Sequence, residues 1–280
     1  MVILKIDKDF VKTFSNQIDL FDQIMAIDGE IYRALEGRRT LRFTLGNKTY
    51  FIKQHFGIGW KEIFKNLLQL RLPITNAKNE WEAIRKLNEL NIPTFKITAY
   101  GKRGIIPASM QSFIITEELK NIISLEDFCH NWKNPNFVFK TKIICALAET
   151  AKTMHHAGMN HRDFYLCHFL LDQKKAQTGK VYLYLIDLHR AQIRNKTPYR
   201  WMVKDIAGLY FSAMNVGLTK RDIIQFLKIY FGRPLRDIIR LQHKFLYDAE
   251  KRAFALYEKT FNTKPPIPAY FHPLTTPSSN

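Results

Sequence analysis

The feature that most constrains this chain is a pair of aspartates separated by a predicted hairpin. Asp163 lies in the run from His161 to His168, and Asp187 follows 24 residues after Asp163, directly behind an apolar segment. Residues 168–172 and 181–186 have the composition of two strands and enclose a polar turn. Because the two strands of a hairpin are neighbours, the loop that carries Asp163 and the strand end that precedes Asp187 are predicted to lie close together.

Two carboxylates in this arrangement suit phosphoryl transfer, which needs one carboxylate to position an acceptor hydroxyl and another to hold a magnesium ion. Asp163 is the predicted catalytic residue, which orients the acceptor hydroxyl or accepts its proton. Asp187 is predicted to bind the Mg²⁺ that bridges the phosphates of ATP. The run from His161 to His168 resembles the HRDxxxxN signature of protein kinases. The resemblance implies that His168 is also a metal-site residue, because it stands where kinases present an asparagine to the metal. Since Mg²⁺ prefers oxygen ligands, a structural or hydrogen-bonding role for His168 remains equally open.

Other segments extend the likeness to kinases, although DLH replaces DFG and excludes an ordinary protein kinase. They occur at kinase-like spacing between about Ile31 and Phe231 and include ALEGRRTLRF, YFIKQHF, NEWEAIRKLNELNIPT, SFIITEEL, LIDLHRAQIR and KDIAGLYFSAMNVGLTKRDI. With them, the chain closely resembles the lipopolysaccharide core heptose(I) kinases of Gram-negative bacteria. The resemblance implies an ATP-dependent sugar kinase that phosphorylates the first heptose of the lipopolysaccharide inner core.

The order of predicted elements, strands first and helices second, favours an α+β, two-lobed fold of the protein-kinase type. Residues 1–118 are predicted to form an N-terminal nucleotide-binding lobe with an antiparallel sheet and an αC-type helix. Residues 119–262 are predicted to form a mainly helical catalytic lobe, and residues 263–280 an irregular tail. Predicted strands cover residues 30–35, 40–45, 49–54, 96–100 and 112–116, and predicted helices cover residues 124–132, 141–155, 206–214, 219–231 and 234–261.

Two further helices are predicted in the N-terminal lobe. One covers residues 60–72 and is amphipathic, so it would pack on the lobe or lie on a membrane interface. The other begins near Asn79, whose side chain is predicted to cap it.

A lysine and a glutamate are predicted to hold the nucleotide from the N-terminal lobe. Lys53 lies on the third predicted strand, where kinases place the lysine that reaches the α and β phosphates. Its carboxylate partner could be Glu62, Glu80 or Glu82. Glu80 is preferred, because the helix that starts at Asn79 leads into a strand as the kinase αC helix does.

The remaining nucleotide contacts are predicted from position in the chain. Gly37 and Arg38 stand where kinases have a glycine-rich loop, so backbone amides and guanidinium groups would share the phosphate contacts. Backbone groups of Glu117 and Leu119, at a strand exit that resembles the kinase hinge, would bind adenine.

Further basic and acidic residues flank the catalytic segments. Asp205 resembles the buried kinase aspartate that braces the catalytic loop by accepting its amide hydrogens. Arg162 and Arg190 are predicted to bind phosphate or carboxylate groups of the acceptor, and Arg194 and Arg200 are positioned to do the same.

The charge of the chain predicts a polyanionic partner. It contains 43 lysines and arginines against 25 aspartates and glutamates, a formal net charge of +18. The acceptor that the resemblance implies, lipid A with Kdo and heptose, is such a partner, and so is an anionic membrane surface. The resemblance also points to acidic acyl carrier protein. No nucleic acid is expected, because aromatic residues are not interleaved in a basic stripe.

The sequence also predicts where the protein works. No apolar run of signal-peptide length opens the chain, and no segment approaches the roughly 18 uncharged apolar residues of a membrane span. Cys129, Cys145 and Cys167 are too scattered for a disulfide framework or a zinc site. We therefore expect a cytoplasmic protein that is peripheral on the cytoplasmic face of the inner membrane.

Two alternatives remain open. A small-molecule kinase of the aminoglycoside phosphotransferase type shares the two-lobed plan, although its cationic acceptors suit an acidic cleft better than a basic chain. A catalytically inactive kinase-like module that binds polyanions would account for the charge, the missing glycines and His168.

Overall fold

The computed structural model describes residues 2–14, 19–35, 37–57, 59–60, 77–132 and 136–271. The chain divides into two compact units. The first comprises residues 1–89, 94–120 and 188–190, and the second comprises residues 90–93, 121–187 and 191–280. Each unit is therefore assembled from pieces that are not continuous in sequence. Apart from Trp60, the helix predicted over residues 60–72, including Glu62, lies outside the described residues.

The described residues form eleven strands and nine α-helices. The strands are β1 (Val2–Ile6), β2 (Glu30–Leu35), β3 (Arg38–Leu45), β4 (Lys48–His55), β5 (Ile97–Arg103), β6 (Gln111–Glu117), β7 (Ile122–Ser124), β8 (Met159–Asn160), β9 (Phe169–Asp172), β10 (Leu183–Leu185) and β11 (Gln192–Ile193). The α-helices are α1 (Lys8–Val11), α2 (Leu20–Met25), α3 (Lys78–Glu89), α4 (Leu125–His130), α5 (Phe137–His156), α6 (Gln173–Gln177), α7 (Tyr199–Ala213), α8 (Lys220–Phe231) and α9 (Leu235–Phe261). Short 3-10 turns cover Leu166–His168 and Leu188–Arg190.

The first unit is built on a six-stranded antiparallel sheet with the order β1-β5-β6-β4-β3-β2. On the interior strand β4, Tyr50, Ile52 and Gln54 are buried, whereas Lys53 between them is only partly buried. Successive side chains of a strand point to opposite faces. Lys53 therefore lies on the sheet face opposite to the core residues of its own strand.

Side chains of α1, α2 and the sheet form one buried cluster, which includes Phe10, Phe21, Ile24, Leu41, Ile52 and Phe113. Gln54 ties the sheet to the end of α2. Its Nε2 donates to the carbonyls of Ile24 and Met25 at 3.2 and 3.1 Å, and its Oε1 accepts from Arg39 Nε at 2.6 Å. These bonds satisfy carbonyl groups that a helix end leaves without helical partners.

The second unit is mainly helical, with α5 packed against α8 and α7 packed against α9. The predicted hairpin is present, because β9 pairs antiparallel with β10 and both belong to a three-stranded sheet with the order β10-β9-β7. Its turn contains the short helix α6, which Asp172 caps by accepting the Lys175 amide. At the start of α8, Thr219 and Asp222 form a capping box, in which each side chain accepts the backbone N–H of the other residue.

Several predicted helix starts were wrong. Asn79 lies inside α3, which begins at Lys78, and the amide of the preceding Ala77 donates to Ser112 Oγ at 2.9 Å. The helix predicted from residue 141 begins at Phe137, where the side chain of Asn136 supplies the cap. The helix predicted from residue 206 begins at Tyr199, directly after Pro198. Proline is tolerated at the start of a helix, because the first amides of a helix have no helical acceptor.

Residues 262–271, which follow α9, are irregular and are attached to the second unit. The buried carboxylate of Glu250 accepts the backbone N–H of Tyr270 at 2.7 Å and that of Phe271 at 2.8 Å. Ile267 packs against α7 and α9 side chains, and Phe271 packs against those of α8 and α9. Residues 272–280 lie outside the described residues. In the part of the chain that is described, no helix has both the length and the apolar character to cross a bilayer.

Candidate active site

The loop that carries Asp163 is held by one buried carboxylate, that of Asp205 on α7. Its Oδ2 accepts the backbone N–H of His161 at 2.6 Å, and its Oδ1 accepts that of Arg162 at 2.7 Å. Hydrogen bonds to an ionised acceptor are roughly twice as strong as neutral ones. The bracing role predicted for Asp205 is confirmed by these two bonds.

The backbone of this loop is strained at Arg162. Its φ is +77°, in the left-handed region that residues with a Cβ rarely adopt. Among the described non-glycine residues with positive φ, Arg162 is the one that is neither asparagine nor aspartate. Such a conformation costs about 1–3 kcal/mol and persists where the surroundings impose it. The bonds to Asp205 impose it here and fix the direction in which the chain presents Asp163.

Helix α7 approaches the catalytic loop closely at a second point. A Cβ at Gly208 would lie 3.0 Å from the carbonyl oxygen of Phe164 and 3.1 Å from the ring of Tyr165. One turn further along, Ser212 Oγ accepts the backbone N–H of Leu166 at 2.9 Å. The absence of a side chain at residue 208 therefore lets α7 support the loop on both sides of Asp163.

His168 links the two aspartates. Its Nδ1 donates to the backbone carbonyl of Asp163 at 2.6 Å, and its Nε2 lies 3.4 Å from Oδ2 of Asp187. The second unit therefore brings Asp163, His168 and Asp187 together, as the hairpin predicted. Asp187 itself has φ of +60°, so it leaves the strand through a second left-handed residue.

The hairpin fixes the position of Asp187 through its neighbour Ile186. The Ile186 amide donates to the His168 carbonyl at 3.0 Å, and His161 Nε2 donates to the Ile186 carbonyl at 2.9 Å. Burial lowers the pKa of the His161 ring. A neutral His161 with its proton on Nε2 therefore acts as a fixed donor between the catalytic loop and the second strand.

The electrostatics of His168 differ from those of His161. Burial of His168 disfavours its charged ring. Hydrogen bonds with Cys167 and with the Asp163 carbonyl, together with the charge of Asp187, outweigh burial and raise the pKa of His168 to about 9. Since Nδ1 donates to a carbonyl, Nε2 is the atom that faces Asp187. The raised pKa favours a charged imidazole, whose Nε2 can pair with the Asp187 carboxylate.

The donors around Asp187 fit a hard cation that keeps part of its water. No group of three or more His, Cys, Asp or Glu side chains suited to a metal occurs in the described ranges. Mg²⁺ in nucleotide enzymes is held by one or two carboxylates, with water and substrate phosphates as the other ligands. The carboxylate of Asp187 meets that requirement. His168 would then orient this carboxylate or, once neutral, offer Nε2 to the ion.

In the first unit, Lys53 and Glu80 form an ion pair. Lys53 Nζ lies 2.5 Å from Oε1 of Glu80, whose side chain is buried on α3, whereas Lys53 is one-third exposed. The other described candidate, Glu82, pairs with Lys78 at 3.5 Å. A lysine held in this way presents its ammonium group from the sheet face opposite to the core.

Gly37 and Arg38 lie at the turn between β2 and β3. Gly37 has φ of +72° and accepts the Phe56 amide at 2.8 Å, so the turn is tied to the end of β4. Arg38 stands opposite His55 in the β3–β4 register. Burial, with the charges of Arg38, Lys53 and His189, lowers the pKa of His55 to about 4. Basic side chains therefore lie near His55 at this corner of the first unit.

The predicted hinge residues follow β6 in the first unit. The Glu117 amide donates to the Lys96 carbonyl at 3.0 Å, so it is not a donor for adenine. Its side chain pairs with Lys96 at 2.7 Å and with Lys48 at 3.4 Å. Contact of Glu117 with adenine would have to use its carbonyl oxygen. Leu119 is partly buried just beyond the strand.

The two predicted acceptor arginines belong to different units. Arg190 lies in the 3-10 turn Leu188–Arg190, which belongs to the first unit and packs beside α3. Arg162 belongs to the second unit, on the catalytic loop. The predicted site residues therefore fall into two sets, each with its own geometry.

Comparison with known proteins identifies the family. The model of the lipopolysaccharide kinase (Kdo/WaaP) family matches residues 22–230, a range that contains every predicted site residue. The chain belongs to this family. The prediction of a lipopolysaccharide kinase with a kinase-like α+β fold is confirmed at this level.

Individual members of the lipopolysaccharide kinase family are similar over most of the chain. The lipopolysaccharide core heptose(I) kinase WaaP of Pseudomonas aeruginosa is 48% identical over 251 residues, which cover 89% of this chain and 94% of that protein. The enzyme of the same name from Escherichia coli is 47% identical over 245 residues, which cover 86% and 92%. A solved structure of WaaP in complex with acyl carrier protein has a TM-score of 0.78 at 42% identity and covers 91% of this chain and 100% of that one.

Sequence reasoning missed several residues that support the site in this family member. Trp201 contacts Arg162 through its ring, and the hydroxyl of Thr197 donates to the carbonyl of His155 at 2.8 Å, behind the catalytic loop. Ser212 supports Leu166. Trp201 and Ser212 lie at helical spacing from Asp205 on α7, and Thr197 lies just before that helix. Their distance in sequence from Asp205 is the signal that could have drawn attention to them.

Proposed function

We propose that this chain is an ATP-dependent kinase that phosphorylates the first heptose of the lipopolysaccharide inner core. The observation that carries the proposal is the arrangement of Asp163, His168 and Asp187 in the second unit. Family membership and the names of the similar proteins support heptose as the acceptor. The Lys53–Glu80 ion pair supports the use of ATP as the phosphate donor.

Asp163 is proposed to act on the acceptor. Its carboxylate would accept a hydrogen bond from a heptose hydroxyl, orient the oxygen toward the γ-phosphoryl group and take up the proton as transfer proceeds. Its backbone is fixed by His168 and, through Arg162, by Asp205. A base held in this way loses little freedom when substrate binds, which favours the reacting geometry.

The remaining site residues are proposed to hold the nucleotide. Asp187, with His168 beside it, would hold Mg²⁺, which supplies charge neutralisation for the phosphates when it is bound. Lys53, positioned by Glu80, would contact the α and β phosphates. Gly37 and Arg38 would contact phosphate from the β2–β3 turn, and backbone groups near Glu117 and Leu119 would contact adenine. Arg162 and Arg190 would contact the acceptor.

The test is an ATP- and magnesium-dependent assay on heptose-terminated core from a kinase-deficient strain. Asp163→Ala and Asp187→Ala should each reduce transfer by about 100-fold or more, the effect expected for loss of a catalytic base or metal ligand. Asp172→Asn is the matched control, because Asp172 belongs to the same hairpin but caps α6. Near-normal transfer by either alanine variant, with Asp172→Asn also active, would remove the assigned role.

The same assay separates the alternatives. An aminoglycoside-type kinase would transfer phosphate to aminoglycosides and not to core. An inactive module would transfer phosphate to neither and would bind polyanions with a steep dependence on salt.

Acyl carrier protein is the proposed protein partner. The support is the solved WaaP complex and an apolar cavity of about 100 Å³ in the second unit. The cavity is lined almost wholly by aliphatic and aromatic side chains, among them Ile144, Leu147, Leu209, Phe226, Leu246 and Phe271. Dry apolar cavities of comparable size bind apolar ligands. An acyl group carried by the partner is a ligand of that kind.

Pull-down with acylated and with unacylated acyl carrier protein tests this partnership. Leu147→Gln, which puts a polar group into the cavity, should weaken the complex with the acylated form. The unacylated form should bind equally weakly to the wild-type chain and to the Leu147→Gln variant. Equal binding of acylated and unacylated forms by the wild-type chain would contradict a role for the cavity.

Peripheral binding to an anionic membrane is proposed from the charge and from one apolar surface of the first unit. This surface, the hairpin-tip patch, comprises Phe56, Trp60, Ile105 and Ile106, which are 40%, 54%, 75% and 56% exposed. The Gly59 amide donates to the Ala108 carbonyl at 3.1 Å, so the two segments of the patch are adjacent. Apolar tips on a protein of net charge +18 suit the interface of an anionic bilayer.

Sedimentation with vesicles of anionic phosphatidylglycerol in neutral phosphatidylethanolamine tests the patch. Burial of an isoleucine contributes about 1.5–3 kcal/mol, so Ile105→Ser/Ile106→Ser should reduce vesicle binding about tenfold or more. Ile31→Ser/Tyr32→Ser is the matched control, because both residues are similarly exposed on β2. Equal losses for the two variants would contradict the assignment of the patch.

A further inference from the structure

Three basic side chains converge on one indole ring beside the catalytic loop. The guanidinium carbon of Arg162 lies 4.7 Å from the ring centroid of Trp201, that of Arg200 lies 4.9 Å away, and Lys204 Nζ lies 5.6 Å away. All four residues belong to the second unit. Cation–π contacts occur within about 6 Å of a ring centroid, so all three distances are within range. Three cations around one ring concentrate more positive charge than a single cation–π pair does.

The position of Trp201 is coupled to that of the catalytic loop. Trp201 and Asp205 are four residues apart on α7, so they share one face of the helix. Asp205 binds the backbone amide of Arg162, while Trp201 contacts its side chain. One helical turn therefore holds both ends of the residue that precedes Asp163. The cations around Trp201 are consequently neighbours of the proposed catalytic base.

The local sequence concentrates positive charge at the start of α7. Residues 191–204 contain four basic residues and no acidic one. The first turn of α7 has no acidic side chain, and no side chain caps its first amides. The start of a helix carries partial positive charge, so basic residues there are destabilising. Positive charge concentrated at the edge of a site suits an anionic ligand.

We propose that Arg162, Arg200 and Lys204, held around Trp201, bind an oxyanion of the acceptor next to the sugar that is phosphorylated. This inference rests on the proposed function, because it names the chemistry by which the same site recognises its acceptor. Guanidinium groups match the geometry of carboxylate and phosphate oxygens. Both groups are present on the implied acceptor, as the carboxylates of its acidic sugars and the phosphates of lipid A.

Trp201 is a positioning residue in this scheme. The three cations lie around its ring, so the acceptor would meet the charged groups and not the indole. The ring holds the guanidinium groups in place, so fewer side-chain rotations are lost when an anion binds. A smaller aliphatic side chain would leave the charges present but free to separate.

Arg200→Gln/Lys204→Gln tests the site without altering the catalytic loop. We expect the KM for acceptor to rise about tenfold or more, because hydrogen bonds to charged groups are the strongest that a protein makes to a ligand. The KM for ATP should remain unchanged, and kcat should change less than twofold. Arg233→Gln/Lys228→Gln is the matched control, because it removes the same charge from exposed positions of the second unit.

Trp201→Leu and Trp201→Phe separate positioning from folding. Trp201→Leu should raise the acceptor KM as the double variant does, whereas Trp201→Phe, which keeps an aromatic face, should restore most of the affinity. If both variants merely lower Tm and leave the acceptor KM unchanged, Trp201 has a packing role only and the positioning argument fails.

Two modified acceptors identify the oxyanion. If the site binds sugar carboxylate, an acceptor with reduced carboxyl groups should have the same KM for wild type and for the Arg200→Gln/Lys204→Gln variant. If it binds lipid A phosphate, the dephosphorylated acceptor should abolish the difference instead. A difference that persists with both acceptors, or an equal rise in KM for ATP, overturns the proposal.

Direct binding separates this inference from the proposed function. Calorimetry of the core oligosaccharide without nucleotide measures the site even if no phosphate is transferred. Wild type should bind at least tenfold more tightly than the double variant, and the control variant should match wild type. Equal affinities would refute the oxyanion site whatever the kinase assay gives.

Discussion

The two sets of site residues are held by different means. In the first unit, Lys53 is positioned by one contact between side chains, with Glu80. In the second unit, the Asp163 loop is positioned by hydrogen bonds to its backbone from Asp205, His168 and Ser212. A lysine that contacts phosphates as a point charge tolerates some movement. A catalytic base needs its oxygen within hydrogen-bond reach of the acceptor, so its backbone is fixed.

This comparison predicts where the protein is fragile. A backbone brace that fails disturbs several residues at once, whereas a broken ion pair disturbs one. Substitutions behind the catalytic loop should therefore affect stability and transfer together. Substitutions at the Lys53 pair should affect transfer more than stability.

The largest effect is expected for Asp205→Ala. It removes the acceptor of two buried amides and relaxes Arg162, so the free energy of unfolding should fall by about 3–5 kcal/mol. Kinase activity should be lost even though Asp205 touches no substrate. Urea unfolding and the core phosphorylation assay measure the two outcomes. Normal stability would show that other groups hold the loop and would break the comparison.

The next largest effect is a dependence of stability on pH through His55 in the first unit. Its folded pKa of about 4 lies below the ordinary value of 6.5, so the unfolded chain binds more protons between these two pH values. Stability should therefore fall as the pH decreases from about 6.5 to about 4, by roughly 3 kcal/mol in total. Urea midpoints at pH 7 and pH 4.5 test this. His55→Gln should reduce the difference between the two midpoints. An unchanged difference would exclude His55 as its cause.

A smaller effect on stability is expected for the Lys53–Glu80 pair. Lys53→Met leaves the buried Glu80 carboxylate without its partner and should reduce the free energy of unfolding by about 1–2 kcal/mol, because the lysine is partly exposed and solvent screens the pair. Lys53→Met/Glu80→Leu should recover part of that loss. Both variants should lose most kinase activity. Recovery of activity in the double variant would contradict the nucleotide role of Lys53.

The smallest effect sets the baseline. Lys12 and Asp9 form an ion pair at 2.8 Å with both side chains largely exposed on the first unit. Lys12→Ala should leave the urea midpoint and the kinase activity within experimental error, since solvent screens such pairs. A clear loss would mean that surface charge contributes more to the first unit than the comparison assumes.

The sequence predicted the catalytic part of the second unit because that part is local. Asp163, His168 and Asp187 are joined by one hairpin, and the strand pattern around a polar turn determines which residues are neighbours. The preference for Glu80 over Glu82 was also made from chain order, and Lys53 does contact Glu80. The roles of these residues in catalysis stay predictions.

Other features depend on contacts that no pattern reveals. β1, α1 and α2 were not predicted, because they are short and are stabilised by the sheet, as β1 is by pairing with β5. The assignment of residues 90–93 and 188–190 to the opposite units requires three-dimensional contacts. Asparagine is a common N-cap residue, yet α3 starts one residue before Asn79. Trp201 was overlooked because the helix was predicted to begin at residue 206, so the position of Trp201 one turn before Asp205 was not evident.

The single carboxylate of Asp205 has a consequence for genetic studies of this family. In a saturation mutagenesis screen for loss of phosphorylated core, position 205 should be as intolerant as positions 163 and 187. A longer acidic chain, or an amide, would not reproduce two bonds to consecutive peptide groups. Hits in such a screen would therefore include a residue that never meets either reactant.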